Sequence, residues 1–286
     1  MVKFPDAQTY FNKYKLVSFP QPEIVQLRYP ILLSHGYAAI AGLITPSPLQ
    51  DPCMILRSHG VASFAPNIVP YARIETRAEE WIKRMKELKA EYGFEKFNVV
   101  AHSMGGLDMR YALNRLGADE HIASLLTIAT PHQGSPLANF VLGTPGKVKE
   151  QLGSFFDWLG DRLYPEGKSD SVAAVEQLTP EYLTQEFNPE ILDHPEVVYL
   201  SYSAAVGKGT KAPLNPIYLF QNHYIYDREG KNDAFVSVKS SKWGEHLDIK
   251  PISHLEQMGI RVVSDRKPLV SSFWLELAKE LSSRGL

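Results

Sequence analysis

The stretch Val99–Asp108, VVAHSMGGLD, constrains the fold of this chain more than any other feature. A β-branched run, EKFNVV, leads into it and is typical of a buried strand. Directly after it, apolar residues recur at helical spacing at Met109, Ala112, Leu113 and Leu116, before a glycine that stops helices. The pattern therefore places Ser103 on the corner between a strand and a helix.

Such a corner is what a nucleophile elbow requires. The turn is so sharp that the serine hydroxyl stands exposed above the sheet edge, and only small residues fit two positions before and after it. Those positions hold Ala101 and Gly105, followed by Gly106, with alanine where glycine is usual. The N–H of Met104, at the start of the helix, is placed to bind an oxyanion. The alternative is that Ser103 only caps the helix, as many serines do.

The first half of the chain alternates strands and helices. This order predicts an α/β fold with a mostly parallel sheet and helices on both faces. We expect a helix from about Arg77 to Gly93, with a capping box between Thr76 and Glu79. The predicted strands are Tyr29–His35, Val61–Pro66, the run up to Val100, and Ile122–Thr130.

The second half contains a long interruption in the strand pattern. Between about residues 140 and 188 strand signals are weak, and Val148–Leu163 has the spacing of an amphipathic helix with a strongly apolar face. Strand signals return at Glu196–Ala204 and Pro216–Phe220, and a helix carrying Phe273, Leu277 and Leu281 follows. We therefore predict one domain, 1–286, with a helical insertion at approximately 140–188.

Local patterns leave several candidates for the remaining catalytic groups. YPILLSHGY ends an apolar strand, so the Tyr37 N–H is a candidate second oxyanion donor, although a simple turn fits as well. In an elbow hydrolase an acid and then a histidine follow the serine. Asp233 lies in a turn before an alternating run, with Asp227 and Asp193 as competitors. The histidines after the serine are His121, His132, His194, His223, His246 and His254, of which His254 and His132 lie in suitable loops.

Composition excludes several classes of protein. The formal net charge of the 286 residues is −2 and no basic block occurs, so we expect no nucleic-acid partner. Cys53 is the only cysteine, which rules out an intrachain disulfide. The opening residues lack the apolar core of a signal peptide and no 18-residue apolar run occurs, so the sequence favours a cytoplasmic protein without deciding its location.

The chain resembles the true lipases of the α/β-hydrolase fold, especially the bacterial type related to the Pseudomonas and Proteus enzymes. The resemblance runs from about Tyr29 to Gly259 and rests on an ordered set of segments: YPILLSHG, AHSMGGLDMRY, TIATPHQGSPLANF, AAVEQLTPEYLTQEFN, NDAFVSVKSSKWG and SHLEQMG. It implies that Asp233 and His254 complete a triad with Ser103. It also implies that the apolar segment is a lid, with Leu152, Phe155, Phe156 and Leu159 covering the site.

The resemblance also raises the question of a metal. Similar lipases often carry a structural calcium near the histidine loop, and Glu256 stands where one ligating aspartate would be. One glutamate is a weak basis for calcium, which prefers six or more oxygen ligands, so we expect no metal and no required cofactor. The predicted activity is triacylglycerol hydrolysis at a transient lipid interface. The alternatives are a carboxylesterase for small soluble esters and, much less favoured, a non-catalytic hydrolase-fold binding protein.

Overall fold

Six strands form a single sheet in the computed structural model, which describes residues 22–37, 47–143, 169–260 and 266–286. The strand order is β2-β1-β3-β4-β5-β6, and all five pairings are parallel. The strands are β1 (Ile31–Ser34), β2 (Ser63–Phe64), β3 (Phe97–His102), β4 (Ile122–Ile128), β5 (Val198–Ala204) and β6 (Glu245–Lys250). The carboxyl ends of β1 and β3 therefore meet at one sheet edge.

Helices connect these strands. The longer ones are α1 (Gln50–Ser58), α2 (Ile74–Tyr92), α3 (Gly105–Arg115), α4 (Pro136–Leu142), α5 (Ser171–Glu176), α6 (Leu219–Glu229) and α7 (Lys267–Ser283). Between α5 and β5 the chain makes three short turns of helix, at Pro180–Tyr182, Leu183–Phe187 and Asn188–Glu190. Within the described residues none of the helices combines the length and apolar character needed to cross a membrane.

The two faces of the sheet carry different helices. Leu33, Val100 and Leu126 pack with the apolar side chains of α1 and α7, which include Cys53 and Trp274. The neighbouring strand residues Leu32, Val99 and Leu125 pack instead against α2 and α3, because successive strand residues point to opposite faces. The predicted α/β fold, a mostly parallel sheet with helices on both faces, is therefore confirmed.

The start of α2 differs from the prediction. The helix begins at Ile74, with Arg73 as its N-cap, so Thr76 and Glu79 lie inside the first turns and the capping-box prediction is wrong. The reason is tertiary: Ile74 is fully buried, and its N–H donates to the buried Gln177 side chain at 2.7 Å, which extends the helix toward α5. The helix ends as predicted at Gly93, whose φ of 74° lies in the left-handed region.

The predicted strand at Pro216–Phe220 is absent from the structure, and the alternating run after Asp233 is not a strand. Pro216–Phe220 forms a 3₁₀ turn, Pro216–Tyr218, that continues into α6, because Asn215 caps Ile217 N–H at 3.0 Å and proline fits a first helical position. The alternating run after Asp233 is a series of turns, since the Asp233 and Ser237 side chains accept hydrogen bonds from nearby backbone N–H groups. The sixth strand lies further on, at Glu245–Lys250.

The predicted lid lies outside the described part of the chain. Leu152, Phe155, Phe156 and Leu159 belong to residues 144–168, so the lid prediction is not tested by the structure. Either side of this gap the described chain is helical, in α4 and α5.

Candidate active site

Ser103 occupies a strained corner between β3 and α3. Its φ is 56°, a left-handed conformation that non-glycine residues seldom adopt. The corner is held on both sides, because Ser103 N–H donates to the Ile128 carbonyl at 3.0 Å and Thr130 Oγ1 donates to the Ser103 carbonyl at 2.7 Å. Strain of this kind costs on the order of 1–3 kcal/mol and persists where surrounding structure fixes it, most often at functional sites.

Two glycines allow the chain to approach this corner. A Cβ on Gly36 would lie 2.7 Å from both Met104 N and Ser103 Cβ, so any larger residue would push β1 away from the elbow. A Cβ on Gly106 would collide with the Thr130 side chain. These contacts explain why both positions hold glycine.

The predicted oxyanion donors lie against the same corner. Met104 is the N-cap of α3, so its N–H belongs to the group that a helix leaves unpaired at its N-terminus. Tyr37 directly follows Gly36, and its ring packs edge-on against Tyr71 at 5.3 Å between centroids. Met104 belongs to the small buried cluster against which Tyr37 is packed. The structure therefore brings both segments to Ser103.

A buried ion pair fixes the chain just before Gly36. Arg77 and Asp108 are both fully buried, with Nη2 and Oδ2 2.8 Å apart, and the same Nη2 donates to the His35 carbonyl at 2.6 Å. Burial raises the pKa of Asp108 to about 6, and the guanidinium opposes the rise. Burial, helped by Arg77, lowers the pKa of His35 to about 3, so its imidazole stays neutral. Arg77 thus ties α2 and α3 to the end of β1.

Asp233 and His254 are brought together from separate loops. His254 Nδ1 lies 2.7 Å from Asp233 Oδ2, and His254 N–H donates to the Asp233 carbonyl at 3.0 Å. The His254 ring is also 4.5 Å from the ring of His102, the residue that directly precedes Ser103. The order serine, acid, histidine and the Asp233–His254 contact match the acid and the base of a hydrolase triad.

The competing residues have other partners. Asp227 is exposed and pairs with Lys208, while Asp193 accepts from Trp243 Nε1 at 2.9 Å. His132 is buried, stacks on Trp243 at 5.1 Å and has Nε2 3.2 Å from Thr127 Oγ1. His246 Nε2 lies 2.8 Å from the Ser203 hydroxyl, but Ser203 is fully buried within β5 and so offers no substrate access.

Two polar residues beside the candidate triad are not predicted from the sequence. Gln257 donates from Nε2 to Asp233 Oδ2 at 3.0 Å, and His102 Nε2 lies 3.1 Å from Gln257 Oε1. Both side chains are buried. A signal for Gln257 exists in its position three residues after His254, since a helical turn brings residues at that spacing to one side.

The contacts of Glu256 disfavour a calcium ion at Oε2, whereas Oε1 is buried and has no hydrogen-bond partner among the described residues. Its Oε2 accepts from Ser253 N–H and Oγ, both at 2.8 Å, and the Arg266 guanidinium lies 3.5 Å away, where it would repel a cation. Throughout residues 22–37, 47–143, 169–260 and 266–286, no group of three or more histidine, cysteine or acidic side chains is arranged to hold a metal. Whether activity requires calcium stays a prediction.

The fold and the corner at Ser103 are those of an α/β hydrolase, and the sequence relatives identify the class as the serine ester hydrolases. A family model described as "Alpha/beta hydrolase of unknown function (DUF915)" matches residues 71–140. "Triacylglycerol lipase 2" of Saccharomyces cerevisiae is 30% identical over 80% of this chain and 72% of the yeast protein. The "Triacylglycerol lipase" of Pseudomonas fragi is 26% identical over 92% of this chain and 99% of that protein. The chain therefore belongs to the α/β-hydrolase family that contains these lipases.

Solved structures share the fold. A metagenomic carboxyl esterase superposes with a TM-score of 0.70 at 17% identity, covering 94% of this chain and 80% of the esterase. The mature form of a Bacillus licheniformis lipase superposes with a TM-score of 0.61 at 19% identity, covering 90% of this chain and 96% of the lipase. At these identities the likeness concerns the fold alone.

Proposed function

We propose that this chain is a triacylglycerol lipase that works through an acyl-enzyme on Ser103, with His254 as base and Asp233 as its partner. The observation that carries the proposal is the left-handed Ser103 at the β3–α3 corner, one residue from His102, whose ring packs against a His254 paired to Asp233 at 2.7 Å. The triacylglycerol substrate is inferred from the two lipases that are similar to this chain over most of its length.

The proposed reaction has two halves. Ser103 Oγ attacks the acyl carbon while His254 Nε2 takes the hydroxyl proton, and the ester C–O bond then breaks as His254 returns that proton to the leaving alcohol. Water next attacks the acyl-enzyme, His254 takes its proton, and the carboxylic acid leaves as the Ser103 hydroxyl is restored. Asp233 holds the imidazole with Nε2 free and stabilises its cation. The Met104 and Tyr37 N–H groups bind the tetrahedral oxyanion.

An apolar surface beside His254 supports a lipid substrate. The Phe235 ring lies 5.2 Å from the His254 ring and 5.8 Å from the ring of Tyr218. Close to Tyr218 in the chain, Phe220 of α6 lies with its ring 5.0 Å from the ring of Phe140 of α4, and both are exposed. Exposed apolar groups that cluster together mark surfaces that bind lipids, membranes or proteins.

The finer assignment, to the bacterial lipases related to the Pseudomonas and Proteus enzymes, belongs to the same proposal. It is supported by the match to almost the whole Pseudomonas fragi enzyme and by the ordered motifs in this chain.

Hydrolysis of a graded series of substrates tests the proposal. We expect the purified protein to cleave long-chain p-nitrophenyl esters and emulsified triacylglycerol, with Ser103→Ala as the blank. Activity restricted to dissolved short-chain esters would instead identify a carboxylesterase. A fluorophosphonate probe should label the native protein and not the alanine variant, and absence of labelling would contradict a catalytic Ser103.

Metal dependence is tested separately. We expect dialysis against a chelator to leave the hydrolysis rate and the melting temperature unchanged, because Glu256 already accepts hydrogen bonds from Ser253 and faces Arg266. A loss of either that added calcium restores would show that a calcium site exists.

A further inference from the structure

The carboxylate of Asp233 is surrounded by donors. Oδ1 accepts from the N–H groups of Phe235 at 3.0 Å and Val236 at 2.8 Å, and Oδ2 accepts from His254 Nδ1 at 2.7 Å and Gln257 Nε2 at 3.0 Å. Asp233 and Gln257 are both fully buried. Water therefore cannot replace the Gln257 donor, and its hydrogen bond to a charged group is of the stronger kind.

The other end of the Gln257 amide binds His102. Gln257 Oε1 lies 3.1 Å from His102 Nε2, and the same nitrogen lies 3.2 Å from the His254 carbonyl. Burial holds the pKa of His102 well below its usual value, so the ring is neutral and carries one proton. Because Nε2 of His102 faces two oxygen atoms that can only accept, the single ring proton lies on Nε2. His102 then donates to both oxygens.

This arrangement leaves the amide one orientation. Its NH₂ must face Asp233, because a carboxylate only accepts, and its oxygen must face the His102 N–H. The backbone of Gln257 is anchored in turn, because Trp274 Nε1 of α7 donates to its carbonyl at 3.0 Å. Gln257 is therefore a fixed bridge between the acid loop and the strand end that carries Ser103.

We propose that Gln257 is a positioning residue for ester hydrolysis. It holds the Asp233 carboxylate toward His254 and, through His102, holds the His254 main chain beside Ser103. The inference rests on the roles proposed above for Ser103, Asp233 and His254. Because Gln257 is buried, it acts through Asp233 and His102 and touches no substrate.

The first test removes both hydrogen bonds and keeps the volume. In Gln257→Met we expect kcat to fall about 10- to 100-fold, the range for losing a hydrogen bond to a charged group. KM should be unchanged, because no contact with substrate is lost. A kcat equal to that of the native enzyme would overturn the inference.

The second test uses charge. In Gln257→Glu a neutral carboxylic acid can still donate to Asp233 and accept from His102, whereas an ionised one repels the neighbouring carboxylate. We expect kcat relative to the native enzyme to be highest at acid pH and to fall as pH rises, while the ratio for Gln257→Met stays constant. Because Gln257→Glu preserves the packing, it remains informative where the methionine variant unfolds. A ratio independent of pH would overturn the inference.

Gln177 provides a matched control. It is also buried, its Oε1 accepts from Ile74 N–H at 2.7 Å, and its Nε2 donates to the Glu75 carboxylate at 2.9 Å. Gln177→Met and Gln177→Glu should lower the melting temperature and leave the pH profile of kcat unchanged. A profile that shifts in both pairs of variants would mean that general destabilisation explains the effect and would overturn the inference.

Asp233→Asn separates this inference from the proposed function. If that variant is fully active, the proposed triad is wrong and the role of Gln257 fails with it. If it is inactive while both Gln257 variants behave like the native enzyme, only the inference about Gln257 is wrong.

Discussion

The corner that carries Ser103 and the loops that carry Asp233 and His254 are built in different ways. The corner lies between two regular elements, and β3 is paired with β1 on one side and β4 on the other. Asp233 instead lies among turns held by side chains. Asn232 Oδ1 accepts from Ala234 N–H at 2.9 Å, and Asn232 Nδ2 donates to the Asn222 and Gly230 carbonyls, both at 3.0 Å.

The difference teaches how each proposed catalytic group is positioned. The proposed nucleophile is positioned by the backbone, because sheet pairing and close glycine contacts impose a left-handed φ on Ser103. The proposed acid and base are positioned by polar side chains: Asn232 and Asp233 accept from nearby backbone N–H groups, and Gln257 donates to the Asp233 carboxylate. Changes at the corner should therefore act through geometry, and changes in the loops through hydrogen bonds and charge.

The largest effect is expected at the corner itself. Ser103→Ala should reduce kcat by about 10⁶, the scale found when a triad serine is lost. The fold should persist, because alanine is smaller and the backbone contacts of Ser103 do not involve its hydroxyl. Ester hydrolysis and circular dichroism measure the two effects. A correctly folded variant with a tenth of the native activity would rule out Ser103 as nucleophile.

The next largest effect is expected in the loops, at Asp233. Asp233→Asn should lower kcat by about 10⁴, because an amide favours the wrong tautomer of the histidine. Asp227→Asn is the matched control, since Asp227 is exposed and pairs with Lys208. It should leave kcat close to that of the native enzyme. If Asp227→Asn were the more damaging change, Asp227 would be the catalytic acid.

A smaller loss is expected from the close approach at Gly36. In Gly36→Ala the new Cβ must move away from Ser103 Cβ and Met104 N, which displaces the Tyr37 N–H. Removing one oxyanion donor costs about 10²–10³ in kcat, and we expect a loss in that range with substrate binding largely retained. Gly143→Ala is the control, because its φ of −74° suits alanine. Equal activity of the two variants would exclude a functional role for the close contact of Gly36 with Ser103 and Met104.

The same contrast decides what the sequence can predict. β3, α3 and the Ser103 corner are predicted because strand and helix periods, together with small residues at fixed spacing, are local signals. β6 is missed because it is an edge strand with charged residues such as Glu245 and Lys250, which ion pairs with Arg284 and Glu276 hold at the surface. Pro216–Phe220 is mistaken for a strand because its apolar side chains are exposed on a helix rather than buried in a sheet.

The candidate site shows the same limit. Ser103 follows from its local pattern, whereas Asp233 and His254 need the resemblance to lipases to be chosen over Asp227 and His132. The contacts that support the site join residues that are far apart in the chain. Arg77 and Asp108 are 31 positions apart, and Gln257 and His102 are 155 positions apart. No spacing in a single sequence specifies such pairs.

The smallest expected effect is on stability, and it comes from the buried, neutral side chain of His132. Burial, helped by Arg110, holds the pKa of His132 well below its usual value of 6.5. Below about pH 6.5 the unfolded chain therefore binds a proton at this residue that the folded protein does not, so stability falls as pH falls. A difference of one bound proton between the two states changes the free energy of unfolding by about 1.4 kcal/mol per pH unit.

Replacing His132 should remove this one contribution and leave those of His35 and His102, whose pKa values are also lowered by burial. We expect His132→Gln to be less stable than the native protein at pH 7, because a buried ring that stacks on Trp243 is lost. Its free energy of unfolding should then decline less steeply below pH 6.5, by about 1.4 kcal/mol per pH unit. Urea titrations of both proteins between about pH 5 and 7 measure the two slopes, and the titrations of all other groups cancel in their difference. Equal slopes would mean that His132 binds a proton as readily in the folded protein as in the unfolded chain, and that a cation is held beside Arg110 and Trp243.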